Sequence, residues 1–302
     1  MNVIFMGTPD YASEILKALV ADADINVVAV YTQPDKPVGR KKVMTPPITK
    51  TVALEHGLNV YQPSRLRDEE TVAELLKIAC DFIVVAAYGQ ILPKAVLDHA
   101  PCINLHASIL PSYRGASPIQ QSILNGDKET GVTAMLMDVG LDTGAILKIE
   151  KIAIADDEMV GSLFDRLTAT AAALTIDVLK NFDTLTPLPQ DDAKATHCTK
   201  ITKQEGLVAF DDASALYNRY RAFTPWPGVY LESGLKLKKM RLVESEKSYR
   251  AGEILSIEEG GVIVGCEKGS LRVEIVQPAS KNEMSVIDYL NGKRLSLADT
   301  LA

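Results

Sequence analysis

The chain begins MNVIFMGTPDYASEILKALVADADINVVAVYT over residues 1–32. The apolar run 3–6 reads as a strand, 11–20 as a helix and the β-branched run 27–32 as a second strand. The alternation continues outward, with a helix-like stretch at 69–78 and short apolar runs at 82–87 and 102–105. Strands separated by helical crossovers lie parallel, so the pattern predicts an α/β fold, a Rossmann-like doubly wound and mostly parallel sheet. The first turn, Gly7-Thr8-Pro9-Asp10, has one glycine where the dinucleotide fingerprint needs three, which argues against NAD. Residues 161–182 should form a long helix on this domain, with Leu163, Leu167, Leu174 and Leu179 among its apolar positions.

Pro187 and Pro189 break that helical pattern and open a connecting segment that runs to about Gln204. Residues 212–221 then read as a short helix. After Pro225-Trp226-Pro227-Gly228, alternating stretches at 229–231, 236–242, 252–257, 261–266 and 271–276 predict a small C-terminal β-barrel that ends soon after Leu290. The organisation expected is a catalytic domain over 1–188, a linker over 189–205 and a C-terminal domain over 206–302. Trp226, flanked by prolines, is expected to be a packed anchor between domains.

With 302 residues and 47% hydrophobic content, the chain can bury a sizeable core and has room for two domains. No apolar run approaches the roughly 18 residues that a membrane span requires, and the first residues carry no basic flank. A cytoplasmic protein with no membrane partner is expected. Cys80, Cys102, Cys198 and Cys266 are scattered without a CxxC pair, which favours buried thiols over disulfides or a zinc site. The net charge of −7 argues against an overall nucleic-acid-binding coat but leaves room for a local basic patch. From Gly206 onward thirteen Lys and Arg balance thirteen Asp and Glu, so the acidity lies in residues 1–205.

Residues 103–120 read INLHASILPSYRGASPIQ, and MDVGLDTG follows at 137–144. If 102–105 is a strand, Asn104 and His106 point to the same face at its carboxyl end. There an amide and an imidazole can both aim at an oxygen that becomes negative when an amine attacks a carbonyl carbon. An ionised Asp142 beside His106 would hold the imidazole protonated and could take the proton shed by the amine. No step of this scheme requires a metal or a covalent intermediate. Taken singly, a histidine near apolar residues is a satisfied structural group and an aspartate between glycines is a turn former; the combination is what carries chemistry.

That combination resembles the folate-dependent formyltransferases: Asn-x-His-x-Ser-x-Leu-Pro, then Tyr-Arg-Gly-Ala, then an Asp in Gly-x-Asp-Thr-Gly. The resemblance implies that Asn104, His106 and Asp142 are catalytic and that Ser108, Ile109, Leu110 and Pro111 contact the folate. Tyr88, Gly89, Gln90, Ile91, Leu92 and Pro93 are similar to the second wall of the family's pterin site. The donor implied is 10-formyltetrahydrofolate.

The acceptor depends on other segments. Residues 32–42, TQPDKPVGRKK, form a proline- and glycine-broken loop after the second strand with four cations and one acid. Such a loop suits phosphates and base edges. It is similar to the PDKPxGR loop of the family members that act on initiator methionyl-tRNA, which implies tRNA contacts for Lys36, Arg40, Lys41 and Lys42. Here Lys41 follows Arg40 directly, without the extra glycine common in that group. The stretch 217–228 likewise resembles the entry to those members' oligonucleotide-binding-fold-like (OB-fold-like) domain. Lys236, Lys238, Lys239 and Arg241 are candidates for phosphate contact, since alternation puts Lys236 and Lys238 on one face of an edge strand, against a merely solvated face. The expectation is an enzyme that acts as a monomer on initiator methionyl-tRNA with 10-formyltetrahydrofolate. The rivals are a formyltetrahydrofolate hydrolase, a nucleotide-amino-sugar formyltransferase and a non-catalytic folate- or RNA-binding module.

Overall fold

A computed structural model describes residues 1–39 and 41–301. The first stretch runs β1 (Asn2–Gly7), α1 (Asp10–Ala21), β2 (Asn26–Tyr31), β3 (Lys36–Val38), β4 (Val43–Thr45), α2 (Ile48–Glu55) and β5 (Val60–Tyr61). It continues through α3 (Glu69–Leu75), β6 (Phe82–Ala86), α4 (Lys94–Leu97) and β7 (Cys102–His106). Then come β8 (Arg114–Gly115), α5 (Pro118–Leu124), β9 (Glu129–Leu136), β10 (Ile146–Ala153), α6 (Val160–Asn181) and β11 (His197–Cys198). The remainder holds α7 (Ala213–Phe223), β12 (Val229–Tyr230), β13 (Lys236–Glu244), β14 (Ile254–Glu258), β15 (Gly261–Gly265), β16 (Ser270–Gln277), β17 (Met284–Ser285) and α8 (Val286–Lys293).

Seven strands form one sheet in the order β10-β9-β7-β6-β1-β2-β5. The pairs β7/β6, β6/β1, β1/β2 and β2/β5 are parallel, and β9 joins β7 antiparallel. Val3, Ile4, Phe5 and Met6 are wholly buried, as a strand covered on both faces requires. The strand order reverses between β1 and β6, so the carboxyl ends of these strands open a crevice where α/β sheets hold ligands. Tyr11, Ala12, Ile15, Leu16 and Leu19 form the buried face of α1. The single glycine of the first turn serves packing: a Cβ on Gly7 would stand 2.4 Å from Ala12 Cβ and 2.9 Å from Ala86 O. Only glycine lets α1 and the sheet close this tightly.

Contacts between Cα atoms divide the chain into two units. One comprises Met1–Pro118, Glu129–Ile152 and Phe164–Cys198, and the other Ile119–Lys128, Ala153–Leu163 and Thr199–Ala302. The second contains a six-stranded antiparallel sheet, β12-β13-β16-β15-β14 with β17 on β16. Val262, Val264, Leu271, Val273 and Val276 are fully buried in it. Asp212 caps α7 by accepting the Ala215 N–H at 2.9 Å.

Several expectations change. The segment 189–205 does not run free along its length: β11 pairs with β8, and residues up to Cys198 belong to the first unit. The loop after β2 is a β3–β4 hairpin. Beyond residue 285 the chain forms α8, capped by Ser285 Oγ on the Asp288 N–H, and then pairs back along β14 through the Ile254 and Ala298 amides. Trp226 is 61% exposed and so is not a packed anchor.

Candidate active site

Strand β7 brings Asn104 and His106 to its carboxyl end, with Asn104 opposite Val85 of β6 and Met135 of β9. Both side chains lie in the protein interior, 9% and 7% exposed. The Asn104 amide hydrogen-bonds no other described residue, so its N–H donors are uncommitted within the fold. His106 Nε2 lies 2.9 Å from Tyr113 O. A carbonyl only accepts, so this nitrogen carries the proton. His106 Nδ1 faces Asp142 Oδ2 at 3.7 Å, inside ion-pair range and outside hydrogen-bond range. The expected trio is thus assembled, with the imidazole held by a backbone carbonyl as well as facing the carboxylate.

Asp142 sits in the left-handed region, φ 55°, and its Oδ2 accepts the Gly115 N–H at 2.8 Å. Gln190 Nε2 donates to Asp142 O at 2.9 Å and to Gly144 O at 2.8 Å. Gln190 Oε1 in turn accepts Arg114 Nε at 3.1 Å and Nη2 at 2.8 Å, and Arg114 Nη2 reaches Asp192 at 2.7 Å. The loop that carries Tyr113 is sewn to the same segment: Thr196 O accepts the Arg114 N–H, Thr196 Oγ1 accepts the Tyr113 N–H, and Cys198 Sγ lies 3.4 Å from Tyr113 O. Burial pushes the Cys198 thiol up, although the Ser117 N–H directed at the sulfur works against it, so the thiol is a proton donor to the carbonyl that also receives His106. Gln190, Thr196 and Cys198 lie in the stretch read as a linker. Their partnerships join residues 46 to 85 positions apart, which no local pattern announces.

The residues expected to contact folate divide by direction. Ser108 is buried, donates to Ser112 O at 2.6 Å, and its own carbonyl accepts Thr133 Oγ1. Leu110 is buried, and its amide donates to Thr133 Oγ1 at 3.1 Å; Ile109 and Pro111 are half-buried. Tyr88 and Leu92 belong to the core cluster with Ile4, Met6 and Val85, so their side chains do not form a wall. Gln90 is occupied by the Leu66 N–H and Pro63 O. What the segment presents outward is Ile91, 84% exposed, and the backbone at Gly89, φ 80°, where a Cβ would meet only Gln33 Nε2 at 3.7 Å.

The basic hairpin projects Lys36, Lys41 and Lys42 into solvent, and Lys42 N–H closes its turn on Gly39 O at 3.1 Å. Arg40 lies outside the described residues. The hairpin root is bolted down by Asp35, whose carboxylate accepts Lys50 Nζ at 2.9 Å and Gln62 Nε2 at 2.8 Å. The Lys50 ammonium holds that carboxyl below the usual aspartate range, helped by Gln62. Gln33 Nε2 and Thr8 Oγ1 both donate to Tyr88 O at 3.1 Å, linking the root to the Tyr88 segment. A cavity of about 330 Å³ lies at the N-terminus of α1, lined by Pro9, Gln33, Pro34, Lys36, Pro47 and Ile48 among others. In the second unit, Lys238 pairs with Glu283 at 2.9 Å and Lys239 with Glu274 at 2.7 Å, which neutralises two of the cations considered for phosphate contact. Lys236 and Arg241 are exposed on the same strand.

Residues 1–179 match the formyl transferase family, and residues 200–294 match its C-terminal domain. The chain belongs to the formyl transferase family. It is 64% identical over 302 residues to the methionyl-tRNA formyltransferase of Sulfurimonas denitrificans, covering all of both chains. It is 51% identical over 304 residues to that of Helicobacter pylori, again over the full length of each. Among solved structures, the N-formyltransferase from Helicobacter canadensis in complex with folinic acid and dTDP-3-aminofucose superposes with a TM-score of 0.68 at 17% identity, over 90% of this chain and 98% of that one. HypX from Aquifex aeolicus in complex with tetrahydrofolic acid gives 0.60 at 16% identity, over 95% of this chain and 46% of that one. At such identities these two structures speak for the fold.

Proposed function

We propose that the chain transfers the formyl group of 10-formyltetrahydrofolate to the α-amino group of initiator methionyl-tRNA, giving N-formylmethionyl-tRNA for translation initiation. The observation that carries this reading is the full-length 64% identity to a methionyl-tRNA formyltransferase. The convergence of Asn104, His106 and Asp142 at the end of β7 supports the chemistry.

In this reading the neutral amine attacks the formyl carbon, a nitrogen–carbon bond forms, and the carbonyl electron pair moves onto oxygen. The Asn104 amide donates to that oxygen, a contact worth roughly 3 to 4 kcal/mol in the transition state. His106 reaches the same oxygen by exchanging the Tyr113 carbonyl for it, since catalytic hydrogen bonds tighten in the complex rather than in the free enzyme. Asp142 takes the proton that the nitrogen sheds, directly or through water. The bond from the formyl carbon to the folate nitrogen then breaks, and that nitrogen leaves as tetrahydrofolate with a proton. Ile91 and the open backbone at Gly89 form the outward part of the folate wall, and the Ser108–Pro111 turn lies beyond His106. Lys36, Lys41 and Lys42, with Arg40 between them in sequence, meet the phosphates of the acceptor arm. The cavity beside Pro9, Pro34 and Pro47 gives room for its aminoacyl end. The reaction belongs in the cytoplasm, where initiator tRNA is charged, and a monomer suffices for it.

A transfer assay with 10-formyltetrahydrofolate tests the reading by offering charged initiator tRNA, a nucleotide amino sugar and water in parallel. Formylation of the tRNA alone is expected. Formylation of the sugar, or release of formate without tRNA product, overturns it.

A further inference from the structure

The loop that carries Asp142 has little packing of its own to hold it. Val139 and Leu141 are 78% and 69% exposed, and Asp142 occupies a backbone conformation that costs a non-glycine residue about 1 to 2 kcal/mol. Within the loop Asp138 Oδ1 accepts the Gly140 N–H at 2.9 Å and Thr143 Oγ1 at 2.6 Å; from outside it come three bonds to residues 142 and 144, and two of them come from one side chain, Gln190, on the carbonyls of residues 142 and 144. The Gln190 amide has a single sensible orientation, because Arg114 donates twice to its oxygen and leaves the NH2 group to face the carbonyls. Arg114 is itself 4% exposed and braced by Asp192. The third bond, from Gly115 N–H to the carboxylate, issues from the residue next to Arg114, within the β8–β11 pairing. The chain between Leu188, which bridges Ile146, and Cys198 therefore acts as a strap across both loops of the site.

We infer that Gln190, oriented by Arg114, is a positioning residue that sets the Asp142 carboxylate against His106. The inference rests on the reading of Asp142 as the proton acceptor of the transfer. Loss of the two Gln190 bonds frees the backbone carbonyls of Asp142 itself and of Gly144, and the 3.7 Å separation from His106 has no spare reach. Transition-state interactions then suffer while ground-state binding of either substrate does not.

The experiment is a double-mutant cycle on the full chain. Q190E keeps the size of the side chain and the acceptor for Arg114 but turns the donor into an acceptor facing two carbonyls; Q190M removes the donor without adding charge. Each is expected to lower kcat at least about tenfold, with KM for tRNA and for folate within about twofold and the melting temperature within a few degrees. In a D142N background the same substitutions should cost less than about threefold, because their effect passes through the carboxylate. An equal loss in both backgrounds, or wild-type kcat in both Gln190 variants while D142N is impaired, overturns the positioning role. Collapse of folding in both Gln190 variants marks the residue as structural and overturns it too. Wild-type turnover in D142N instead overturns the assignment of Asp142, and the role of Gln190 with it.

Discussion

Asp142 adopts a conformation that glycine takes without cost, and this separates stability from catalysis at one position. In D142G the relief of backbone strain, about 1 kcal/mol, opposes the lost Gly115 bond of about 1 kcal/mol. The melting temperature should stay within a few degrees of wild type while kcat falls by orders of magnitude. A large drop in melting temperature would show that the carboxylate is held for the fold and not against it. Gly115 behaves differently. A Cβ there would stand 2.1 Å from Cys198 O at φ 124°, so G115A must part β8 from β11. It is expected to cost about 2 kcal/mol or more, read as a lower urea midpoint, together with reduced kcat. The sequence exposes Asn104 and His106 because a strand repeats every two residues, and it exposes Asp142 because glycines bracket it. It hides Gln190 and Arg114, since their value lies in meeting one another across 76 positions.

At the scale of elements, the α/β half is legible because its strands are apolar on both faces and its helices carry one apolar stripe. The hairpin is not, because strands of three residues are too short to display a period. What holds it is the Asp35–Lys50–Gln62 cluster at its root, again non-local. D35N should therefore loosen the hairpin and raise KM for tRNA several-fold, leaving KM for folate unchanged. An unchanged KM for tRNA would detach the hairpin from acceptor binding. The sign with pH follows from the lowered Asp35 pKa. Its stabilising contribution is complete above the ordinary aspartate value of about 3.9 and is lost as pH falls through the lower folded value. Acceptor binding should also weaken steeply with salt. Replacing each of Lys36, Lys41 and Lys42 by Ala should flatten the slope of log K against log salt by up to about 0.7–0.9. A slope unmoved in the triple variant would place the phosphate contacts elsewhere.

For the whole molecule, a cut near residue 188 or 205 looks natural along the chain, yet the compact units do not follow it. Ile119–Lys128 and Ala153–Leu163 group with the C-terminal residues, so the chain passes between the units several times. Arg221 shows what this joins: it donates to Glu158 O at 3.1 Å, to Asn218 Oδ1 at 2.6 Å, and lies 5.5 Å from the centre of the Tyr217 ring, 4% exposed. Removal of such a buried, hydrogen-bonded cation leaves carbonyls without partners, a cost of about 1 to 3 kcal/mol each when buried. Deletion of the chain after Cys198 removes Arg221 and strips the apolar residues Ile123, Ile154 and Leu163, all at most 5% exposed, of the unit they group with. A chain of residues 1–198 should accordingly melt well below the full protein and bind a hydrophobic dye, although it retains every residue assigned to the transfer chemistry. The division drawn from the sequence alone expects the opposite, an N-terminal half that unfolds cooperatively at the wild-type temperature. Calorimetry on the two chains decides between them, and a wild-type transition in the shorter one would show that the interleaved segments fold without their C-terminal partners.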